Sequence, residues 1–182
     1  AGFRVCYKCG YSEIRDNSKK KQSRNHFTAW EQKCDGKLAG PFALGHEFET
    51  DILKVSFSGY RDNRKGFWFS LLYALLEGGS EALEIERQDL DGCLYPVMND
   101  PSAASLILFD DVPGGAGHVR RMADPAVWLG VMKSALSRMK RCECGGLSGN
   151  SSCYGCLRNY RNQFCHDELN RGMVIEFLRS II

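Results

Sequence analysis

Four cysteines near the end of the sequence have the residue type and the spacing of a zinc site. They form two close pairs, Cys142 with Cys144 and Cys153 with Cys156. Four thiolates complete a tetrahedral zinc site and leave no coordination position for a catalytic water, so a zinc ion held in this way is structural. Cys165 and His166 follow the second pair. The spacing leaves open which four of these six side chains bind the metal, with Cys165 as the alternate ligand.

A second candidate zinc group lies at the beginning of the sequence. Its members are three cysteines and one histidine: Cys6, Cys9, His26 and Cys34. The segment Cys6-Tyr-Lys-Cys9-Gly10 is typical of a zinc knuckle, in which the glycine lets backbone N–H groups turn toward the sulfurs. Three sulfurs and one imidazole are an accepted zinc ligand set. The sequence therefore predicts one zinc ion at the C-terminal group and allows a second at the N-terminal group.

Acidic residues and a glycine-rich turn suggest catalysis but do not complete a catalytic motif. Asp110 and Asp111 follow a buried strand, where a nuclease would hold a catalytic metal, but no lysine completes the set. The segment Pro113-Gly-Gly-Ala-Gly117 lacks the Gly-Lys-Ser/Thr ending of a phosphate-binding loop. His118 has no nucleophile motif beside it. The favoured interpretation is a tight structural turn that one of the two aspartates caps.

Aromatic and basic side chains alternate around the C-terminal cysteines. They are Tyr154, Arg158, Tyr160, Arg161, Phe164 and Arg171. This mixture suits stacking on nucleotide bases together with phosphate contacts along a single strand. Inward packing of the aromatic rings around a zinc loop is an equally good interpretation. The sequence therefore offers Arg158, Arg161, Tyr154 and Tyr160 as weak candidates for DNA contact.

Two other side-chain features receive structural interpretations. Cys93 stands alone and is predicted to be a packed thiol. A basic run without apolar periodicity is predicted to be a solvated loop rather than a phosphate contact. Its members are Lys19, Lys20, Lys21 and Arg24.

Apolar periodicity predicts the strands and the first helix that position these residues. A half-buried strand runs through Leu53, Val55 and Phe57, and a fully buried central strand covers residues 106–109. A helix that is apolar on all sides begins at Phe67 and is predicted to end at Gly78-Gly79. The segment after it is ambiguous, and a strand from Leu83 is favoured.

Two more helices are predicted in the second half of the sequence. Asp124 and Pro125 supply an N-cap and a first-turn proline, and Lys140 and Arg141 suit the C-terminus of the same helix. Its inner face consists of Trp128, Val131, Ala135 and Met139. The last helix begins near Gly172. It is predicted to bury Val174, Phe177, Leu178 and Ile181.

Composition places the chain among ordinary globular domains. Its 182 residues are 43% hydrophobic and 25% charged, with a formal net charge of +2. That charge is too small to argue for nucleic acid by bulk electrostatics. An odd count of 9 cysteines, clustered in short pairs, favours metal ligands in a reducing cytoplasm over disulfides. No membrane span or signal peptide is predicted, and we expect the chain to be a piece of a longer protein.

These features predict an α+β fold with a small mixed sheet, packed helices, a zinc-stapled C-terminal loop and a zinc-knuckle-like N-terminal segment. The N-terminal segment covers residues 1–40 and the main domain covers residues 41–182. Within the main domain, residues 41–140 form the α/β core. The zinc loop and the C-terminal helix occupy residues 141–182.

Three blocks of the sequence resemble a known family. The first two blocks are Leu44-Gly-His-Glu-Phe-Glu-Thr-Asp51 and Leu108-Phe-Asp-Asp-Val-Pro-Gly-Gly-Ala-Gly-His-Val119. The third begins with Cys142-Glu-Cys144, continues with Ser152-Cys-Tyr-Gly-Cys-Leu-Arg-Asn-Tyr-Arg-Asn-Gln163 and ends with Leu169-Asn-Arg171. Together they resemble the MrfA-type zinc-binding domain at the C-terminus of MrfA-like superfamily 2 DNA helicases. They are also similar to the C-terminal part of DrmB-like proteins of the DISARM anti-phage system.

The resemblance implies a cytoplasmic bacterial module in which Cys142, Cys144, Cys153 and Cys156 hold zinc. It also implies a superfamily 2 helicase, fused or separate, that hydrolyses ATP in DNA repair or antiviral defence. Related domains place a final cysteine where Cys165 stands, and the family supplies no catalytic residues.

The sequence therefore favours a non-catalytic zinc module that helps a helicase engage DNA or assemble with its motor, without a membrane partner. The alternatives are a metal-dependent nuclease that uses Asp110 or Asp111 and a pure protein-docking module.

Overall fold

The computed structural model describes residues 2–14, 26–45, 47–98 and 100–182, and it contains two compact units, Ala1–Glu47 and Phe48–Ile182. The basic run from Lys19 to Arg24 lies outside the described residues. The boundary between residues 47 and 48 separates two compact units of the structure. The domain boundary that the sequence suggests between residues 40 and 41 stays a prediction.

The first unit consists of short antiparallel strands. They are β1 (Phe3–Cys6), β2 (Ser12–Ile14), β3 (His26–Phe27), β4 (Lys33–Cys34) and β5 (Leu38–Phe42). The order β2-β1-β5 forms one sheet, and β3 pairs with β4 as a separate hairpin in which His26 lies opposite Cys34. Among the described residues of this unit, the buried side chains are Cys6, His26 and Cys34. The candidate metal ligands are therefore the interior of this unit.

The second unit packs helices against one face of a three-stranded sheet. Its strands are β6 (Ile52–Ser56), β7 (Leu90–Val97) and β8 (Asp100–Asp110), in the order β6-β8-β7. Its helices are α1 (Phe67–Leu83), α2 (His118–Met122), α3 (Pro125–Arg141) and α4 (Arg171–Ile181). Short 3-10 turns occupy Arg87–Asp89, Gly146–Ser148 and Tyr160–Cys165. The predicted α+β class is confirmed.

The central strand β8 carries the core face of the sheet. Leu53 and Val55 of β6 lie opposite Leu108 and Leu106 of β8, and the two β8 leucines are fully buried. Alternation of apolar residues places these side chains on one face, against which α1 packs. The predicted strand through Leu53 and the predicted central strand are confirmed. The pairs described in this sheet are all antiparallel, whereas a mixed sheet was predicted.

Helix α1 is longer than predicted. It continues through Gly78 and Gly79 to Leu83 and ends where Glu84 adopts a left-handed conformation with φ of 55°. A Cβ atom on Gly78 would lie 2.5 Å from the carbonyl oxygen of Val131, so the glycine admits the backbone of α3 instead of ending the helix. The predicted strand from Leu83 is wrong, since β7 begins at Leu90.

The helices α3 and α4 follow the predicted patterns. The Asp124 carboxylate accepts hydrogen bonds from the N–H groups of Ala126 and Val127, as predicted for an N-cap. The buried residues of α3 are Val131, Ala135 and Met139, with Trp128 half-buried. In α4, Val174, Phe177 and Leu178 are buried. Ile181 is 44% exposed because the last turn extends beyond the core, so its predicted burial is wrong.

In the part of the chain that the structure describes, no helix is long and apolar enough to cross a bilayer.

Candidate metal centres and the adjoining surface

The structure brings the predicted C-terminal cysteines together. The sulfurs of Cys142, Cys144, Cys153 and Cys156 all lie within 4.8 Å of one another. The Sγ–Sγ distances are 3.4 Å for Cys142 to Cys144 and to Cys153, and 3.7 and 3.8 Å for Cys156 to Cys144 and to Cys153. Zinc–sulfur bonds of about 2.3 Å in a tetrahedron separate the sulfurs by about 3.8 Å. The donor set and its dimensions fit one zinc ion.

The elements around this group explain how its members meet. Helix α3 ends at Arg141, and Cys142 adopts an extended conformation that directs the chain into the loop. Gly145 and Gly149 take left-handed conformations with φ of 72° and 62°, which reverse the chain between the two cysteine pairs. A turn in which the Cys156 N–H donates to the Cys153 carbonyl brings the second pair to the same place.

The surroundings of Cys142 make its thiol easier to ionise than those of Cys144 and Cys156. Burial opposes ionisation of Cys142, but hydrogen bonds from the Cys144 backbone and from neighbouring thiols lower the pKa of Cys142 to about 7. Burial raises the pKa values of Cys144 and Cys156. Zinc ligation requires all four thiolates, so metal binding at this group releases protons.

Cys165 and His166 lie outside the group. The buried Cys165 thiol donates a hydrogen bond to the Asn162 carbonyl at 3.3 Å. The Nε2 atom of His166 lies 2.8 Å from the Asn162 side-chain oxygen and 3.0 Å from the Asn159 carbonyl. Both side chains are thus engaged in the turn after the cysteines, and the geometry favours the four paired cysteines as the ligand set.

The N-terminal group also comes together in the structure. The ligand atoms of Cys6, Cys9, His26 and Cys34 lie within 4.8 Å of one another, and the sulfurs of Cys6 and Cys34 are 3.8 Å apart. His26 is 4% exposed, and neither ring nitrogen has a hydrogen-bond partner among the described residues. A buried imidazole without a partner is costly, and a metal ion would satisfy one nitrogen. This group therefore fits a zinc ion as well.

Backbone groups in this unit also prepare the sulfurs for a metal. Burial opposes ionisation of Cys6, but N–H groups of Cys9 and Lys8 lower the pKa of Cys6 to about 6. The N–H of Gly36 donates to the sulfur of Cys34 at 3.3 Å. A Cβ atom on Gly36 would lie 2.5 Å from the Cys6 sulfur, so only glycine fits against this group.

Cys93 is not packed, contrary to the prediction. It lies on β7, its side chain is exposed, and it belongs to neither cysteine group. The next residue, Leu94, lies opposite the buried Leu106 and packs against the core, so the alternation of side chains along β7 directs Cys93 to the other face.

The glycine-rich turn encloses one of the protein's own carboxylates. Asp110 is fully buried, and its carboxylate accepts hydrogen bonds from the N–H groups of Ala116, His118 and Val119 at 2.7, 3.1 and 3.0 Å. The interpretation that an aspartate caps this turn is confirmed. These N–H groups are used internally, so they are not directed at a phosphate, and Asp110 is not free to hold a catalytic metal.

Two of the three sequence blocks that carry the family resemblance meet at this turn. The hydroxyl of Thr50 donates to the Asp110 carbonyl at 2.6 Å, and the N–H of Gly114 donates to the Glu49 carbonyl at 2.8 Å. The block that ends at Asp51 thus anchors the turn that follows β8. The role of these two hydrogen bonds is structural, because they fix the turn in place.

The aromatic and basic residues near the C-terminal cysteines have different environments. Tyr154 and Tyr160 are 65% and 84% exposed. Arg158 donates to the Ser152 hydroxyl at 2.8 Å and has no carboxylate partner among the described residues. Arg161 forms ion pairs with Asp91 and Asp111. The sequence pattern did not indicate these acidic partners, which come from β7 and from the turn after β8.

Arg171, unlike Tyr154 and Tyr160, is buried at 4% exposure, so it is not part of a surface that could contact DNA. Its guanidinium contacts the backbone of the C-terminal cysteine loop. The sequence signal that could have indicated this is its position inside the Leu169-Asn-Arg171 block at the start of an amphipathic helix.

The fold and the geometry define a class of protein: an α+β domain that carries a closed four-cysteine group in the loop between its last two helices. Residues 71–157 match the family model of the MrfA Zn-binding domain. Residues 71–157 are therefore similar to a zinc-binding domain, and the two groups of cysteine and histidine side chains in the structure fit zinc sites. The matched residues include Cys142, Cys144, Cys153 and Cys156 and exclude the N-terminal group.

Two known proteins are similar to this chain over most of its length. The Druantia protein DruE of Escherichia coli (strain UMEA 4076-1) is 27% identical over 203 residues, which cover 98% of this chain and 11% of DruE. The crystal structure of the DUF1998 helicase MrfA bound to DNA matches with a TM-score of 0.54 and 15% identity, over 85% of this chain and 20% of that chain. The second likeness concerns the fold alone. This chain spans a small part of both proteins.

Proposed function

We propose that this chain is a non-catalytic structural-zinc module of a DNA helicase system. One zinc ion is held by Cys142, Cys144, Cys153 and Cys156, and a second by the N-terminal group of Cys6, Cys9, His26 and Cys34. The observation that carries the proposal is the closed geometry of the four sulfurs, which fills a tetrahedral zinc and leaves no position for a substrate or water. The zinc fixes a loop rather than performing chemistry.

The partner in this proposal is a superfamily 2 helicase motor, either fused to the module or a separate subunit, that supplies ATP hydrolysis. The similarity to DruE supports work in anti-phage defence, and the fold shared with MrfA supports association with a helicase. The specific settings that we propose for this module are DNA repair or a DISARM-type anti-phage system. Nine free cysteines suit a reducing compartment, and the cytoplasm is the proposed location.

A nuclease function has weaker support than the zinc module. The Asp110 carboxylate is saturated by three backbone N–H groups, and Asp111 is paired with Arg161. Among the described residues, the clusters of three or more potential metal ligands are the two cysteine groups. Neither cluster contains a carboxylate.

Contact with DNA is proposed through the surface that the C-terminal zinc loop presents. Tyr154 lies between the cysteines of the second pair and Arg158 follows it, so the zinc positions both. Arg158 lines an open polar cleft of about 520 Å³. An exposed tyrosine and a cation without a carboxylate partner are the groups that a single strand needs for stacking and phosphate contact.

DNA binding by the zinc-loaded chain tests this proposal. We expect Arg158→Ala to weaken single-stranded DNA binding several-fold and to reduce the salt slope by about 0.7, the contribution of one phosphate contact. Arg161→Ala is the matched control, because two carboxylates already neutralise Arg161, and it should change neither quantity. The measurement is fluorescence anisotropy over a series of salt concentrations.

Two results would argue against DNA engagement. Unchanged affinity and an unchanged salt slope in Arg158→Ala would show that the cleft is not a contact surface for DNA. No binding by the native chain even at low salt, together with capture of a helicase motor, would leave protein docking as the function.

A further inference from the structure

The guanidinium of Arg171 is a buried positive charge at the start of α4. The residue is 4% exposed, and in the part of the chain that the structure describes no carboxylate pairs with it. An arginine stays protonated even when buried, and an uncompensated buried charge is strongly unfavourable. Another negative group must therefore stabilise it.

Three backbone carbonyl oxygens accept its hydrogen bonds. Nε donates to Cys144 and Nη2 donates to Gly146, both at 2.7 Å, and Nη1 donates to Met139 at 3.2 Å. The first two carbonyls belong to the loop of the C-terminal cysteine group. The third belongs to the last turn of α3, where free carbonyls carry partial negative charge. The side chain thus fixes the backbone on both sides of Cys142.

Backbone contacts hold Arg171 in this position. Its own N–H donates to the Ser151 carbonyl, and the N–H of Gly172 donates to the Gly149 carbonyl, both at 3.0 Å. A Cβ atom on Gly172 would lie 2.2 Å from the Ser148 carbonyl oxygen, so the start of α4 lies directly against the loop. The start of α4 and the loop between the two cysteine pairs are thus held together around the buried guanidinium.

The partial charges of carbonyls offset only part of a full positive charge. A Zn²⁺ ion with four thiolates carries two net negative charges, since each thiolate brings one. We propose that Arg171 is the counter-ion of this dianionic zinc centre and a positioning residue for the loop that carries its first cysteine pair. The inference rests on the proposed assignment of the four cysteines to zinc. It adds that zinc retention depends on a cation outside the ligand set.

Zinc affinity of Arg171 variants tests the inference. In the full 182-residue chain, we expect Arg171→Gln and Arg171→Met to bind zinc at this centre about 10–100-fold more weakly, as is usual when a group that supports metal ligands is lost. Arg171→Lys retains the charge but not the forked geometry, so its affinity should lie between those of the native chain and Arg171→Gln. Competition with a chromogenic chelator of known affinity measures all three.

Arg87→Met is the matched control. Arg87 is a partly buried arginine that pairs with Glu77 and donates to the Leu90 carbonyl. Among the described residues, none of its hydrogen bonds or ion pairs reaches a ligand cysteine. This variant should unfold at a lower urea concentration with unchanged zinc affinity. It therefore separates general destabilisation from an effect on the metal centre.

The ranking of the Arg171 variants decides the outcome. If Arg171→Lys loses as much zinc affinity as Arg171→Gln, or if all three variants bind zinc like the native chain, the counter-ion role is overturned. The zinc content of Cys153→Ser reports on the ligand assignment separately. Unchanged content in that variant would refute the assignment, whereas a native centre that is insensitive to Arg171 would refute only the counter-ion role.

Discussion

Asp110 shows how one buried residue fixes the turn that follows the central strand. Its carboxylate accepts three backbone N–H groups from the glycine-rich segment, and its carbonyl accepts the hydroxyl of Thr50. The buried N–H of Val119 would otherwise be an unsatisfied donor, and the N–H groups of Ala116 and His118 are partly shielded from water. The negative charge is therefore as important as the shape of the side chain.

Replacement of Asp110 by asparagine should destabilise the protein. Asp110→Asn keeps the shape but removes the charge and presents an amide that donates hydrogen bonds toward other donors. We expect the free energy of unfolding to fall by about 3 kcal/mol. Urea unfolding followed by circular dichroism measures this change.

Asp111→Asn is the control at the neighbouring position. Asp111 pairs with the partly exposed Arg161, so we expect a loss within about 1 kcal/mol. Equal stability of Asp110→Asn and the native chain would contradict the structural interpretation. The same two variants also bear on the nuclease alternative, because Mg²⁺-dependent DNA cleavage that disappears in Asp111→Asn would support it.

At the scale of elements, the crossing of α1 and α3 depends on Gly78. A Cβ atom at this position would lie 2.5 Å from the Val131 carbonyl oxygen and 2.6 Å from the Ala135 nitrogen, both backbone atoms. Backbone atoms of a packed helix cannot move independently of the helix. The close approach therefore requires a residue without a side chain.

Gly78→Ala should separate the two helices and weaken the core. We expect a loss of at least about 2 kcal/mol in the free energy of unfolding, because an extra methyl group is forced between packed backbones. Thermal and urea unfolding measure this loss.

Gly130→Ala is the matched control, since Gly130 lies in α3 and a Cβ atom there would have no neighbour within 4 Å. It should stabilise the protein by about 0.5–1 kcal/mol through helix propensity alone. A Gly78→Ala protein as stable as Gly130→Ala would contradict the packing argument.

Gly78 also illustrates which features of the helices and strands could be predicted from the sequence. The strand through Leu53, the buried central strand and the N-cap at Asp124 followed from local patterns, and the structure confirms them. A pair of glycines usually indicates the end of a helix, and only the tertiary approach of α3 shows that Gly78 serves packing. Local sequence carries no information on which backbone will lie against it.

In the candidate sites, too, some features could be predicted from the sequence and others could not. Cysteine spacing indicated both groups of candidate ligands because metal chemistry restricts residue type and distance, although it left open which four of the six C-terminal side chains bind. The structure brings four side chains of each group together. The partners of Arg161 and Arg171 were not predictable, because they come from β7, α3 and loops distant in the sequence. The sequence indicated the candidate ligands, and the structure was needed to find the charged groups around them.

At the scale of the whole molecule, the two compact units differ in how much core they have without metal. In Phe48–Ile182 a continuous apolar core joins α1, β8, α3 and α4. In Ala1–Glu47 the buried side chains of the described residues are Cys6, His26 and Cys34. Structural zinc contributes about 10–16 kcal/mol of apparent binding free energy at neutral pH. We therefore expect the first unit to require its metal for folding.

Loss of one ligand from each group should affect only the unit that contains it. The native chain should contain two zinc ions, and Cys34→Ser and Cys153→Ser should each contain one. In Cys34→Ser, strands β1 to β5 should lose protection from amide hydrogen exchange while α1 and β8 keep theirs. In Cys153→Ser, the loss of protection should be greatest in the loop between α3 and α4. Elemental analysis and exchange followed by mass spectrometry measure both effects.

Cys93→Ser is the control, because Cys93 is exposed and belongs to neither group, so this variant should retain two zinc ions and native protection. The native chain with one zinc ion, unchanged in Cys34→Ser, would refute the N-terminal site and leave the C-terminal one. Two zinc ions in Cys34→Ser with β1 to β5 still protected would mean that Cys34 is not a ligand. Cys34→Ser, Cys153→Ser and Cys93→Ser each replace one thiol by a hydroxyl, but in different environments. Differences among the three variants therefore report on metal binding rather than on the loss of a thiol.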